Sequence, residues 1–278
     1  MNFKVALVYW GKIFKIGIDV FWKNLDNPLI MVRVFCVANQ KGGVGKTTTA
    51  ISIADGIAKS GVKTLLIDLD PQCNATSGLG AQPINSHPLV AETAFSESLT
   101  ATGTPTLQLL PGSRNFADIE VLTQNDTLKS RRIRQHLIEE MSVYDYVLID
   151  SPPSLGHLTQ IALAASTEVF MPIQCEFFAM EGLVRMIDVI KKIMNRKPDK
   201  LKFGGIVLTM YDISLELTRE VDREVRNFFG EIVFKTVIPR DVAISEAPSH
   251  GLSIIDYAPK SRGSRAYIEL CMEVLERG

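Results

Sequence analysis

The residues most able to do chemistry stand together in Ala38-Asn39-Gln40-Lys41-Gly42-Gly43-Val44-Gly45-Lys46-Thr47-Thr48. Glycines let a backbone turn tightly, reach positive φ and aim successive N–H groups into one concavity that holds phosphate oxygens. In such a loop Lys46 reaches the β- and γ-phosphates of a nucleotide, and the Thr47 hydroxyl ligates Mg²⁺. An ordinary loop of this kind runs from a first glycine through four residues to Gly-Lys-Ser/Thr. Here Gly45-Lys46-Thr47 fits, but Gln40 holds the first-glycine position and a second lysine, Lys41, stands beside it. The loop is a variant with one cation more than phosphate binding alone requires.

A loop of this type works only between a strand and a helix, whose N-terminus adds the positive end of its dipole. The apolar run Val32 to Ala38 reads as a buried strand and Thr48 to Ser60 as the helix. Further strand patterns cover Thr64 to Leu69, Leu107 to Leu110, Tyr146 to Asp150, Glu168 to Ile173, Phe203 to Met210 and Ile232 to Val237. Their alternation with helical patterns predicts an α/β fold: one mostly parallel, twisted sheet with helices on both faces. Ligands of such sheets bind at the carboxyl ends of the strands, where Asp68, Asp70 and Asp150 fall. Asp150, ending an apolar strand, is placed to hold Mg²⁺ directly or through water. Residues 82–103, rich in Ser, Thr, Pro and Ala, read as irregular structure or short surface helices.

The composition, 46% hydrophobic in 278 residues, allows one large core or two small ones, and no low-complexity linker divides the chain. The expected organisation is a nucleotide-binding domain over residues 31–278 behind an extension of residues 1–30. That extension is apolar but interrupted by Lys12, Lys15 and Asp19, so it holds no continuous span that crosses a bilayer. It reads either as an interfacial anchor or as non-native sequence ahead of a start at Met31. Cys36, Cys73, Cys175 and Cys271 lack metal-ligand spacing and suit a reduced, cytoplasmic protein.

Four segments together resemble the ParA/Soj/MinD ATPases. They are the variant loop, which looks like that family's deviant Walker A motif; Leu65-Leu66-Ile67-Asp68-Leu69-Asp70-Pro71-Gln72; Tyr146 to Gly156; and Ile238-Pro239-Arg240 with Ser245-Glu246-Ala247-Pro248-Ser249-His250-Gly251. Nearly all of Val32 to Arg277 is similar to the Soj branch, which partitions chromosomes and plasmids. The resemblance implies a P-loop fold, Mg²⁺-dependent hydrolysis of ATP to ADP and phosphate, and a homodimer bridged by ATP. It implies that Lys41 reaches across the dimer to the partner's phosphates, that Lys46 and Lys41 stabilise the transferring phosphoryl group, and that Asp70 positions or activates the attacking water. By the same resemblance Lys41, Gly42, Gly43, Val44, Gly45, Lys46, Thr47 and Thr48 hold the phosphates, Met210 and Pro239 lie at the base, and Thr47, Asp68 and Asp150 serve Mg²⁺. Cys73 stands where the family usually has glycine. A ParB-like or cargo-adaptor protein that stimulates hydrolysis is the implied partner.

DNA is the implied matrix, with a nucleoid location to follow, yet two positions depart from the family. Ser214 and Ala243 replace the arginines most often linked to DNA, and non-specific affinity comes from phosphate neutralisation by Lys and Arg. The chain carries a net charge of −1, and excluding residues 1–30 leaves it more acidic, so any nucleic-acid surface is a local patch. Candidates are Arg219, Arg223 and Arg226 on one predicted helix, and Lys191, Lys192, Arg196, Lys197, Lys200 and Lys202 around a helix end. The rival readings are a MinD-like membrane-associated switch, which needs residues 1–30 to bind lipid; an iron–sulfur reductase component, which needs paired cluster cysteines; and a small-molecule kinase, for which no acceptor site is evident.

Overall fold

The computed structural model describes residues 32–116, 127–154, 156–176, 179–196 and 201–277. The expected N-terminal extension lies outside the described residues, as do Lys197 and Lys200 and the side chain of Arg196.

In chain order the elements begin with β1 (Arg33–Val37), α1 (Lys46–Lys59), β2 (Thr64–Asp68), α2 (Asn74–Gly78) and α3 (Pro88–Ala91). There follow β3 (Thr100–Ala101), β4 (Leu107–Leu110), α4 (Thr127–Met141), β5 (Tyr146–Asp150), α5 (His157–Ala165), β6 (Glu168–Gln174) and α6 (Ala179–Arg196). The last part holds β7 (Lys202–Tyr211), α7 (Glu216–Phe229), β8 (Val233–Pro239), α8 (Val242–Glu246), a 3₁₀ turn (Ala247–His250), α9 (Ile254–Tyr257) and α10 (Arg262–Glu276).

All seven predicted strands are present in one eight-stranded sheet ordered β3-β4-β2-β5-β1-β6-β7-β8. The eighth, β3, is a two-residue antiparallel edge against β4. It falls in the stretch predicted to be irregular, and two residues carry too little alternation to be read as a strand. The rest of that stretch is α3 and a 3₁₀ turn, Phe95–Glu97, as expected. Every other described pairing is parallel.

Parallel strands are buried on both faces, so their sequences are apolar without alternation. Phe35 and Val37 of β1 join Leu66 and Leu148 in a core with Ile53 and Ile57 of α1 and Tyr267 and Leu270 of α10. Val34 and Cys36 are buried on the other side of β1, which α5 packs against. The register places Val37, Asp150 and Asp68 side by side at the ends of β1, β5 and β2. Chain reversal after β1 between β5 and β6 opens the crevice in which such sheets bind ligands, and the loop 38–45 begins there.

Candidate nucleotide site

The loop is held at both ends by buried hydrogen bonds. The Ala38 N–H donates to the Phe170 carbonyl at 3.0 Å, and the Asn39 amide donates to the Pro172 carbonyl at 2.8 Å while its oxygen accepts from the Lys41 N–H at 3.0 Å. The Thr209 hydroxyl of β7 donates to the carbonyl of the buried Val44 at 2.9 Å. Gly43 and Gly45 take φ values of 74° and 88°, which favour glycine, and Gly45 becomes the N-cap of α1. The helix therefore starts at Lys46, two residues before the predicted start, and Thr47 and Thr48 lie in its first turn.

Lys46 is buried and its Nζ donates to the Lys41 carbonyl at 3.1 Å. Burial pulls its ammonium below the usual lysine range, although Asp150 and Asp70 act in the opposite direction.

The three strand-end carboxylates differ sharply in what they touch. Asp68 accepts from the Thr76 N–H at 2.8 Å, the Thr76 hydroxyl at 2.7 Å and the Asp70 N–H at 3.1 Å. Burial still pushes it up to about 6. These bonds tie Asp68 to the segment that follows β2, a scaffold role beside the metal support the resemblance implies. Asp70, also buried, accepts from the Gln72 N–H at 2.9 Å.

Asp150 is fully buried and neither of its oxygens has a hydrogen-bond partner. Burial first and the charge of Asp68 second push it well above the usual carboxylate range, while the Thr47 hydroxyl, close by but without the geometry of a full hydrogen bond, and the charge of Lys46 oppose the rise. An orphaned carboxylate at the end of a central strand, with a threonine hydroxyl and an ammonium beside it, fits a hard cation. Among the described residues no group of three or more His, Cys, Asp or Glu side chains could hold a metal without help. Mg²⁺ keeps several waters and binds through one or two protein oxygens plus nucleotide phosphates, a demand that the Thr47 hydroxyl and the Asp150 carboxylate would meet.

Lys41 points its Nζ at Glu176, just beyond β6, in an ion pair between two partly exposed side chains. Met210 and Pro239 lie at the carboxyl ends of β7 and β8, on the same edge as the loop, and Met210 adopts φ 50°. Cys73 takes φ 54°, a backbone conformation that glycine accepts without strain, which accounts physically for the glycine usual at that place. Its thiol is buried and pushed up to about 11, chiefly by desolvation, so it is poorly suited to act as a nucleophile.

A family model described as AAA domain matches residues 32–203. The chain is 43% identical over 252 residues to the chromosome-partitioning ATPase Soj of Treponema pallidum, covering 89% of this chain and 98% of that one. The chain belongs to the ParA/Soj family of ATPases. A second member, the chromosome partitioning protein ParA of Caulobacter vibrioides strain NA1000, is 42% identical over 258 residues, covering 90% and 96% of the two chains. Among solved structures, cobyrinic acid a,c-diamide synthase from Mycobacterium smegmatis with bound ATP analog and magnesium superimposes with a TM-score of 0.75 at 33% identity, over 88% of this chain and 95% of that one.

Asn39, Thr76, Thr209 and Glu176 shape the site but were not singled out from sequence. Asn39, Thr209 and Glu176 reach residues 133, 165 and 135 positions away, whereas Thr76 meets Asp68 only eight positions back. At the two positions where family arginines are lacking, Ser214 is exposed and donates to Asp212 at 2.6 Å, and Ala243 is partly buried. Arg226 is committed to Asp222 at 2.6 Å and to the Phe234 carbonyl at 3.0 Å, which withdraws it from the predicted arginine patch, whereas Arg219 and Arg223 are exposed. Large apolar side chains are exposed next to these positions instead, Ile213 in the loop after β7 at 71% and Val242 at the start of α8 at 72%.

Proposed function

We propose that this protein is an ATP-dependent switch that binds ATP with Mg²⁺, dimerises around it, and hydrolyses it to partition chromosome or plasmid DNA or to position another cargo. The observation that carries the reading is the orphaned Asp150 carboxylate beside Lys46 and Thr47 at the mouth of the glycine loop. In this site Lys46 and the loop N–H groups hold the phosphates, Thr47 and Asp150 hold Mg²⁺, and Asp70 orients the attacking water. When bound, Mg²⁺ would supply neutralisation of phosphate charge. Met210 and Pro239 border the base. The expected domain is residues 31–278, located in the cytoplasm and on the nucleoid when ATP is bound, with a ParB-like or cargo-adaptor protein accelerating hydrolysis.

Lys41 is assigned to the partner's phosphates, so its cis ion pair with Glu176 must open on dimerisation. A partly exposed pair of this kind is worth about 0–1 kcal/mol, so it is no obstacle. Lys41→Ala should leave ADP affinity within about twofold of wild type yet reduce ATP turnover by about 10³-fold, the scale of a lost cation finger. Sizing chromatography with a non-hydrolysable ATP analogue should show a monomer. Wild-type turnover in this variant would exclude a shared two-subunit site.

The matrix is read best as DNA, bound without sequence preference. Two missing arginines per subunit weaken phosphate neutralisation, while Arg219, Arg223, Lys192 and Lys202 remain exposed. Binding by the ATP form should therefore be present at low salt, fall steeply as salt rises, and strengthen in Ser214→Arg/Ala243→Arg. An ATP-bound dimer without DNA affinity at low ionic strength would turn attention to a protein or lipid matrix.

A further inference from the structure

The segment Ser245–Gly251 helps to mark the family, and none of its residues is among those assigned above to the nucleotide. It forms the end of α8 and the 3₁₀ turn and is closed by Gly251 at φ 69°. Against Gly251 lies Gly80, φ 74°, two residues beyond α2. A Cβ placed on Gly251 would stand 2.9 Å from the Gly80 Cα and 3.1 Å from the Gly80 nitrogen, so the two backbones touch with no room for a side chain. A Cβ placed on Gly78, at the end of α2, would be 3.6 Å from the Pro248 Cβ. The short helix thus rests directly on the turn.

The other end of α2 belongs to the carboxylate segment. Asp68 anchors Thr76 through two hydrogen bonds, Thr76 Oγ1 accepts from the Gly112 N–H at 2.8 Å, and Asp70 lies within the same span. Downstream, the turn is pinned where the Ser253 hydroxyl donates to the buried Asp55 at 2.5 Å. Upstream it runs through α8 to Val242, which lies beside the Ile213 loop because the Arg240 N–H donates to the Tyr211 carbonyl at 3.2 Å. α8 is itself tied to α10, since Asp241 accepts from the Gly263 N–H at 2.9 Å and Ile244 packs on Gly263, so a displacement of α2 passes through the turn into one packed body that carries Val242.

We propose that the Gly80–Gly251 backbone contact transmits the presence of a γ-phosphate from the Asp70 segment to the exposed surface around Val242. This rests on the nucleotide reading above. Only a triphosphate differs from a diphosphate at Asp70, which supplies the differential contact that any shift of state requires. A backbone-to-backbone contact has no side-chain rotamer to absorb the movement, and packed elements pass strain on.

Two glycine variants separate the contact from the backbone conformation. Gly80→Ala and Gly251→Ala share the cost of positive φ, but the Gly80 Cβ would meet Gly251 at an ordinary 3.6 Å, whereas the Gly251 Cβ would collide with Gly80 backbone. Hydrogen exchange would be followed over residues 242–250 with Mg²⁺ and either ADP or a non-hydrolysable ATP analogue, alongside direct measurement of nucleotide affinity. In the wild type and Gly80→Ala the two nucleotides should give exchange rates that differ by about tenfold, and in Gly251→Ala the difference should vanish with affinity unchanged. Should Gly251→Ala not fold, Gly78→Ala, whose Cβ would press on Ile51 and stand 3.6 Å from Pro248 and so reseat α2 on the turn, should likewise lose the difference. A folded Gly251→Ala that keeps the wild-type difference overturns the relay, as does a wild type that binds both nucleotides and shows none. Failure of the wild type to bind the analogue would instead overturn the nucleotide reading, and the relay with it.

Discussion

Replacing Lys46 with alanine should lower affinity for Mg²⁺-ATP by two to three orders of magnitude. The side chain is buried, and Asp150 and Asp70 both act on its ammonium. Without it, a polyanionic phosphate chain would approach two carboxylates with no buried cation between them. Truncating one partner of a buried charge pair at a binding site costs about 2–5 kcal/mol of affinity, and every 1.4 kcal/mol is a factor of ten. Arginine should not rescue the site, because its planar fork is larger than the compact ammonium that the Lys41 carbonyl receives at 3.1 Å. Titration with a fluorescent ATP analogue would measure the effect, with thermal unfolding as the control for the fold. Equal affinity in wild type and variant would remove Lys46 from the phosphate site.

The parts of this architecture legible in the sequence are those governed by local pattern. Parallel strands buried on both faces are continuous apolar runs, so Leu65 to Asp68 and Tyr146 to Asp150 announce both their type and their ends. Gly43 and Gly45 announce a loop because only their backbone freedom permits it. What could not be read is any relation set by the packing of distant segments. Asp68 takes its hydrogen bonds from the segment directly after it, the Asp70 N–H and Thr76, but only the assembled sheet sets beside it Asp150, whose oxygens have no hydrogen-bond partner. Two identical strand-end residues thus acquire different chemistry from their surroundings alone. The Gly80–Gly251 contact is equally invisible, since the glycines are separated by most of the fold and each alone reads as an ordinary turn residue. The same limit hid the edge strand β3, whose two residues pair only because β4 presents an open edge to them.

The contrast between Asp68 and Asp150 leads to an effect opposite to that of most core substitutions. Asp150→Asn should make the nucleotide-free protein more stable while disabling it. The wild-type carboxylate is fully buried, makes no hydrogen bond and feels the like charge of Asp68. Leaving a buried polar group unsatisfied costs about 1–3 kcal/mol, and more when the group is charged. An amide of the same shape carries no net charge, so it keeps part of the first cost but escapes the charge burial and the repulsion, which together outweigh the lost attraction of Lys46. A gain of about 1–2 kcal/mol follows, and for a chain of this size that is a rise in melting temperature of about 2–8 °C. The added stability that a ligand confers should move the other way. Mg²⁺-ATP at about 100 times its dissociation constant should stabilise the wild type by about 2.7 kcal/mol through mass action, and most of that increment should disappear in the variant. Calorimetry of both proteins, with and without Mg²⁺-ATP, would measure both quantities in one series. A variant less stable than wild type when empty, and equally stabilised by Mg²⁺-ATP, would make Asp150 an ordinary structural residue. The expected pair of opposite shifts is what separates a carboxylate kept for a cation from one kept for the fold, because only the former is a burden until its ligand arrives.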